Sequence, residues 1–133
     1  MQRESSHHRH VSLQETLSAG CEPECRGCRH RTLTLVASVA QKQEYLQRVL
    51  ERWGCVLQSV RSVREEQRFG YRDRVTLNAR WDALTGWRFG MMRRDELIPI
   101  PECPVHSARV NKLVALLRAT LPAHANFPLA YLH

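Results

Sequence analysis

RVTLNARWDALTGWRFGM, residues 74 to 91, is the stretch on which the reading of the fold turns. In its first half Val75, Leu77, Ala79 and Trp81 alternate with Arg74, Thr76, Asn78 and Arg80. A period of two predicts a strand with one buried face and one polar, basic face. Residues 82 to 86, DALTG, predict a turn, and Trp87, Phe89 and Met91 then resume the alternation. On this pattern Trp81 and Trp87 point into a core. Downstream, Glu96 to Ile100 reads as a third short strand, with Pro99 and Pro101 suited to a sheet edge.

On either side the period changes to that of a helix. From Val36 to Trp53, the residues Val39, Leu46, Val49, Leu50 and Trp53 fall on one face, which predicts a core-packing helix stopped at Gly54. Ser107 predicts the N-cap of a last helix whose apolar stripe is Val110, Leu113, Val114, Leu117 and Leu121, closed by Pro122. The expected fold class is therefore α+β: a small antiparallel sheet flanked by two helices, with a Cys-rich metal-binding loop ahead of them. Residues 1–20 read as a flexible leader, with His7, His8 and His10 as a minor metal-binding possibility. Residues 21–122 read as the ordered domain and 123–133 as an irregular tail.

No run of about 18 apolar residues occurs, so no membrane-spanning helix is expected. The N-terminus lacks the apolar segment of a secretory signal, which points to a cytoplasmic protein. In a reducing compartment clustered cysteines more often bind metal than form disulfides. The net charge is +7, and 18 of the 20 basic residues are arginine. Residues 61–94 hold nine arginines against Glu65, Glu66, Asp73 and Asp82. Arginine grips phosphate with a planar fork, so RNA or another nucleic acid is the expected partner. A solvated basic face is the plainer account of the same residues.

CEPECRGCRH, residues 21 to 30, sets Cys21, Cys25 and Cys28 close together, and 74 residues later comes Cys103-Pro104. Zinc sites usually present two close pairs of ligands, whereas iron–sulfur proteins take a tight group plus a remote cysteine followed by proline. The spacing favours iron–sulfur and leaves zinc and unmetallated or disulfide-linked thiols open. It also leaves the fourth ligand open between Cys55 and Cys103; a lone cysteine such as Cys55 is more often a small core residue. Gly27 permits a sharp turn between ligands, and Arg26, Arg29 and His30 offset thiolate charge.

Taken in order, these motifs resemble the bacterial 23S rRNA (uracil-5-)-methyltransferases that carry an iron–sulfur cluster. The Cys-Gly-Gly-Cys loop, Gln-His pair and long helix of that family are similar to residues 21–54, with Cys25, Gly27, Cys28, His30 and Gln43 in matching places. GYRDRVTLNAR from Gly70 resembles its next strand start. GWRFGMMRRDELIPIPECPVHS resembles its Gly-Phe-Arg hairpin and acidic Cys-Pro turn, and the helix after Ser107 also corresponds. The likeness spans residues 21 to about 122. Two departures stand out: Cys21 precedes Cys25 by three intervening residues where the family has five, and Arg26 replaces a glycine.

The resemblance implies a 4Fe-4S cluster on Cys21, Cys25, Cys28 and Cys103, in preference to Cys55, with zinc as the alternative metal. It implies RNA contacts, with ribosomal RNA as the target, from Arg72, Arg74, Arg80, Arg88, Arg93 and Arg94 to phosphates and from Tyr71 to bases. The family's N-terminal barrel and its S-adenosylmethionine domain have no counterpart here. Eleven residues follow Pro122, and no Gly-rich strand-to-helix loop occurs. The expectation is the cluster-bearing, RNA-binding portion of an RNA uracil-5 methyltransferase. It has no catalytic residue of its own, and S-adenosylmethionine would be supplied through a separate methyltransferase chain. A stand-alone zinc or iron–sulfur RNA-binding module is the alternative, and a redox or iron sensor a more distant one.

Overall fold

The computed structural model describes residues 17–133. Most of the expected leader, including His7, His8 and His10, lies outside the described residues. The elements run α1 (Leu35–Glu51), a single 3-10 turn (Glu65–Gln67), β1 (Leu77–Asp82), β2 (Gly86–Arg93), β3 (Glu96–Pro99), α2 (Ala108–Thr120) and β4 (Tyr131–Leu132). The four strands form one antiparallel sheet in the order β3-β2-β1-β4. The α+β class is as expected.

The hairpin read from residues 74–91 forms, with Ala79 opposite Phe89 and Trp81 opposite Trp87, although β1 begins only at Leu77 and Met91, expected on the buried side, is exposed. Its turn is built by Asp82, whose Oδ1 accepts from the Leu84 and Thr85 amides at 2.9 and 3.0 Å and from the Thr85 hydroxyl at 3.1 Å. Those bonds to the charged form hold the Asp82 carboxyl below the usual carboxylate range. Gly86 follows at φ 72°, in the left-handed region that glycine tolerates best. Between β2 and β3 the same region is occupied by Arg94 at φ 56°, where Gly or Asn is the ordinary choice.

The core lies on one face of the sheet. Leu77, Ala79, Trp87 and Phe89 meet Val110 and Val114 of α2, with Leu117 and Leu121 alongside. Trp87 stacks on Phe89, takes Phe127 edge-on at 6.0 Å, and donates its indole N–H to the Pro122 carbonyl at 2.7 Å. That bond removes the cost of burying an indole N–H unpaired. On β2 the alternation breaks at Gly90, which is buried like Phe89 before it. A Cβ there would collide with the Ile98 carbonyl of β3, so only glycine lets the two strands approach.

Three expectations need correction. The last eleven residues are not wholly irregular: Tyr131 and Leu132 pair with Asn78 and Leu77, making β1 a central strand. Leu113 faces out at 53% exposure, so the buried stripe of α2 passes through Val110, Val114, Leu117 and Leu121 without it. The third concerns α1, which contributes no residue to the core cluster. Thr34 caps it by accepting from Ala37 N, and only Ala37 and Ser38 in its first turn are buried. Its expected stripe is half-buried at Val39, Val49 and Leu50 and open at Leu46 and Trp53. The chain beyond α1 meets it through the Val60 amide, which donates to Gln43 Oε1 at 2.9 Å.

Candidate metal centre

Residues 18–34 form an irregular loop with few bonds between its own backbone groups. Cys21 N–H donates to Ser18 O at 3.0 Å, Cys25 N–H to Glu22 O at 3.1 Å, and Leu33 N–H to His30 O at 3.2 Å. The Gly27 amide points at Cys25 Sγ, 3.4 Å away. A Cβ on Gly27 would stand 3.1 Å from Met91 Sδ and 3.4 Å from Cys25 Sγ. Space beside β2 is therefore tight at this position, where glycine fits without moving the Met91 side chain. Glu24 ties the loop to the sheet through an ion pair with Arg93.

Opposite the loop lies the turn between β3 and α2. Gly70 N–H donates to Pro104 O, Arg72 N–H to Val105 O, and Ser107 N–H back to Arg72 O, all within 3.0 Å. Asn111, on the first turn of α2, grips Cys103 from both sides: its Oδ1 accepts the Cys103 amide at 3.2 Å and its Nδ2 donates to the Cys103 carbonyl at 3.0 Å. Cys103 is thus fixed on its backbone by a side chain that the apolar pattern of the helix does not mark.

The loop and the turn face each other across a cavity of about 470 Å³ lined by Cys21, Cys25, Cys28 and Cys103. His30 and Tyr71 also line it; the His30 Nδ1 is held 2.7 Å from the Ser38 hydroxyl at the start of α1. Burial pushes the Cys21 and Cys28 thiols above the ordinary thiol range, and the neighbouring thiols push the same way. Arg31 acts against the rise at Cys21, and Arg72 and Arg31 act against it at Cys28. Among the described residues no group of three or more His, Cys, Asp or Glu is drawn together as the ligands of one ion.

Cys55 stands apart. It is exposed just beyond α1, with its Sγ 3.7 Å from the Trp53 carbonyl, and it does not line the cavity. The expectation of a small core residue fails because α1 and its exit carry no core there.

The arginines singled out from the sequence do not form one surface. Arg72 pairs as an isolated bridge with His106, beside the thiols. Arg74 is exposed ahead of β1. Arg80 and Arg88 are direct cross-strand partners on the sheet face away from α2; Arg80 donates to the Asp95 carbonyl at 2.9 Å, and the buried Nε of Arg88 has no partner. Arg93 is ion-paired with Glu24 and lies 4.0 Å from Glu96, and Arg94 occupies the hairpin tip. Tyr71 belongs to the cavity. Two residues of the site escaped the sequence reading, Arg31 and Asn111, because each acts on backbone carbonyls and amides that only the folded chain brings to it.

No helix among the described residues is long and apolar enough to cross a membrane. The chain matches no family model, no curated protein and no solved structure.

Proposed function

We propose that this chain is a cysteine-clasped RNA-binding module, in which Cys21, Cys25, Cys28 and Cys103 hold a 4Fe-4S cluster and arginines on the sheet contact RNA phosphates. The observation that carries the reading is the shared cavity: four thiols from two segments 74 residues apart in sequence line one space. The donor set fits such a group in its chemistry. Thiolates are the usual ligands of iron–sulfur clusters, and four thiols line the one cavity. Two guanidinium groups, Arg31 and Arg72, lie where they offset thiolate charge. When bound, such a group would act chiefly as a cross-link between the loop and the β3–α2 turn.

Of the RNA candidates, Arg80 and Arg88 carry most of the argument. Like charges directly opposed across a strand pair repel, and a phosphate between them relieves that repulsion. Arg93 contributes least, being already paired with Glu24. Within the wider resemblance, the module would serve an RNA uracil-5 methyltransferase, with S-adenosylmethionine and the reacting groups on a separate catalytic domain.

Anaerobic reconstitution tests the centre. A brown protein with iron and sulfide in comparable amounts supports it, and a colourless protein with one zinc per chain sinks it in favour of a zinc module. Cys103→Ser should abolish metal uptake while Cys55→Ser leaves it intact. RNA binding should weaken steeply with salt, and Arg80→Gln should lower the slope of that dependence by about one. Binding indifferent to salt would remove the basic-face reading.

A further inference from the structure

Arg31 gathers three carbonyls of the irregular loop. Its Nη1 donates to the carbonyls of Glu22, at 3.1 Å, and of Cys25, and its Nη2 donates to the carbonyl of Pro23 at 2.7 Å. Three carbonyls of a four-residue stretch thus point at a single guanidinium. Besides Arg31 the stretch is held by the Cys25 amide, which donates to the Glu22 carbonyl at 3.1 Å, by the Glu24 amide, which donates to the Glu22 carboxylate at 3.2 Å, and by the Glu24–Arg93 ion pair. Without Arg31 the Pro23 and Cys25 carbonyls have no hydrogen-bond partner among the described residues. Arg31 itself lines the cavity that Cys21, Cys25 and Cys28 line.

We infer that Arg31 is a positioning residue for metal uptake, shaping the stretch from Cys21 to Cys28 so that its thiols face the cavity before any metal arrives. The inference rests on the metal reading above. Guanidinium geometry matters to it as much as charge. A fork with several donors in one plane serves three carbonyls at once, whereas an ammonium is a compact point charge on a flexible stem. Groups that orient metal ligands from behind typically change metal affinity about 10- to 100-fold when removed.

The test uses the full chain and two variants, Arg31→Gln and Arg31→Lys, with two readouts. The first is amide hydrogen exchange across residues 21–28 in the metal-free protein, with the β1 and β2 amides as the internal measure of global folding. Arg31→Gln should speed exchange at Cys25 and Gly27 about tenfold or more while β1 and β2 are unchanged, and Arg31→Lys should recover only part of the protection. The second is cluster uptake and its visible absorbance after iron–sulfide reconstitution, which should weaken by about 10- to 100-fold in Arg31→Gln. Unchanged exchange in Arg31→Gln overturns the inference, as does full rescue of both readouts by Arg31→Lys, which would reduce the role to charge. Should Arg31→Gln fail to fold, Arg31→Lys alone decides: wild-type exchange and uptake overturn the inference, and faster exchange with weaker uptake supports it. If the wild-type chain takes up no metal, the metal reading falls by itself and the exchange comparison still decides whether Arg31 shapes the loop.

Discussion

Where β1 and β2 meet α2, apolar side chains close over one another: Trp87, Phe89, Leu77, Val110 and Val114 are all buried. At the other end, from Ser18 to Arg31, carbonyls, amides and thiols are held by single polar bonds around a cavity. The two regions have unequal means of holding shape. Apolar burial is cumulative and tolerant of small errors, at about 25 cal/mol for each Å² removed from water. A polar loop depends on each donor finding its acceptor, and each net bond contributes only about 1 kcal/mol. A chain of this size buries a modest share of its surface. The largest buried side chains, Trp87 and Phe89, lie at the packed end, and only Ile100 and Val105 bring buried apolar surface to the cysteine cavity. The cysteine end is where a cross-link has most to contribute.

The largest expected effect would break the packed end. Trp87 is 3% exposed, and Trp87→Ala should cost about 4 kcal/mol in chemical denaturation, since it removes a large buried ring and strands the Pro122 carbonyl. A loss below about 1 kcal/mol would mean that the sheet face is not the centre of stability. Next comes Arg94, held at φ 56° at the β2–β3 turn. Arg94→Gly should raise stability by about 1 kcal/mol by removing the left-handed penalty. If the same change weakens RNA binding, the strained residue is retained for the interface.

A smaller effect should appear only in acid. His106 is buried beside Cys103, and desolvation, with Arg72 next to it, holds its imidazole below the ordinary histidine range; the Asn111 side chain opposes this. The unfolded chain therefore takes up the proton first. The stability involved is fully present above about pH 6.5 and is lost as pH falls through the folded value. In metal-free protein, melting curves between about pH 7 and pH 5 should show this decline, and His106→Gln should flatten it. The smallest effect belongs to the loose end. Trp53 is 78% exposed, so Trp53→Ser should stay within about 0.5 kcal/mol of wild type. A large loss would show that α1 has an apolar partner in solution.

The same contrast explains what the sequence disclosed. The hairpin of residues 74–91 was legible because alternation, turn residues and burial are all local and agree with one another. The stripe of α1 was legible as a pattern, but a pattern does not say whether anything covers it, and Trp53 remains open. β4 was invisible because two residues have no period; Tyr131 and Leu132 become a strand through pairing with β1, some fifty residues away. At the cysteine site, the tight group and the remote Cys103 could be read as spacing. Arg31 and Asn111 could not, since nothing in RHRT or VNKL announces that backbone groups six to nine residues earlier will fold back onto them.

The pairing of Tyr131 and Leu132 with β1 also bears on how the protein is handled. Take those two residues away, by proteolysis or by a shortened clone, and β1 loses its pairing at Leu77 and Asn78. A central strand then becomes a bare edge of the kind that recruits other chains. Preparations trimmed at this end should aggregate while their helical content looks normal, and affinity tags belong at the opposite end of the chain.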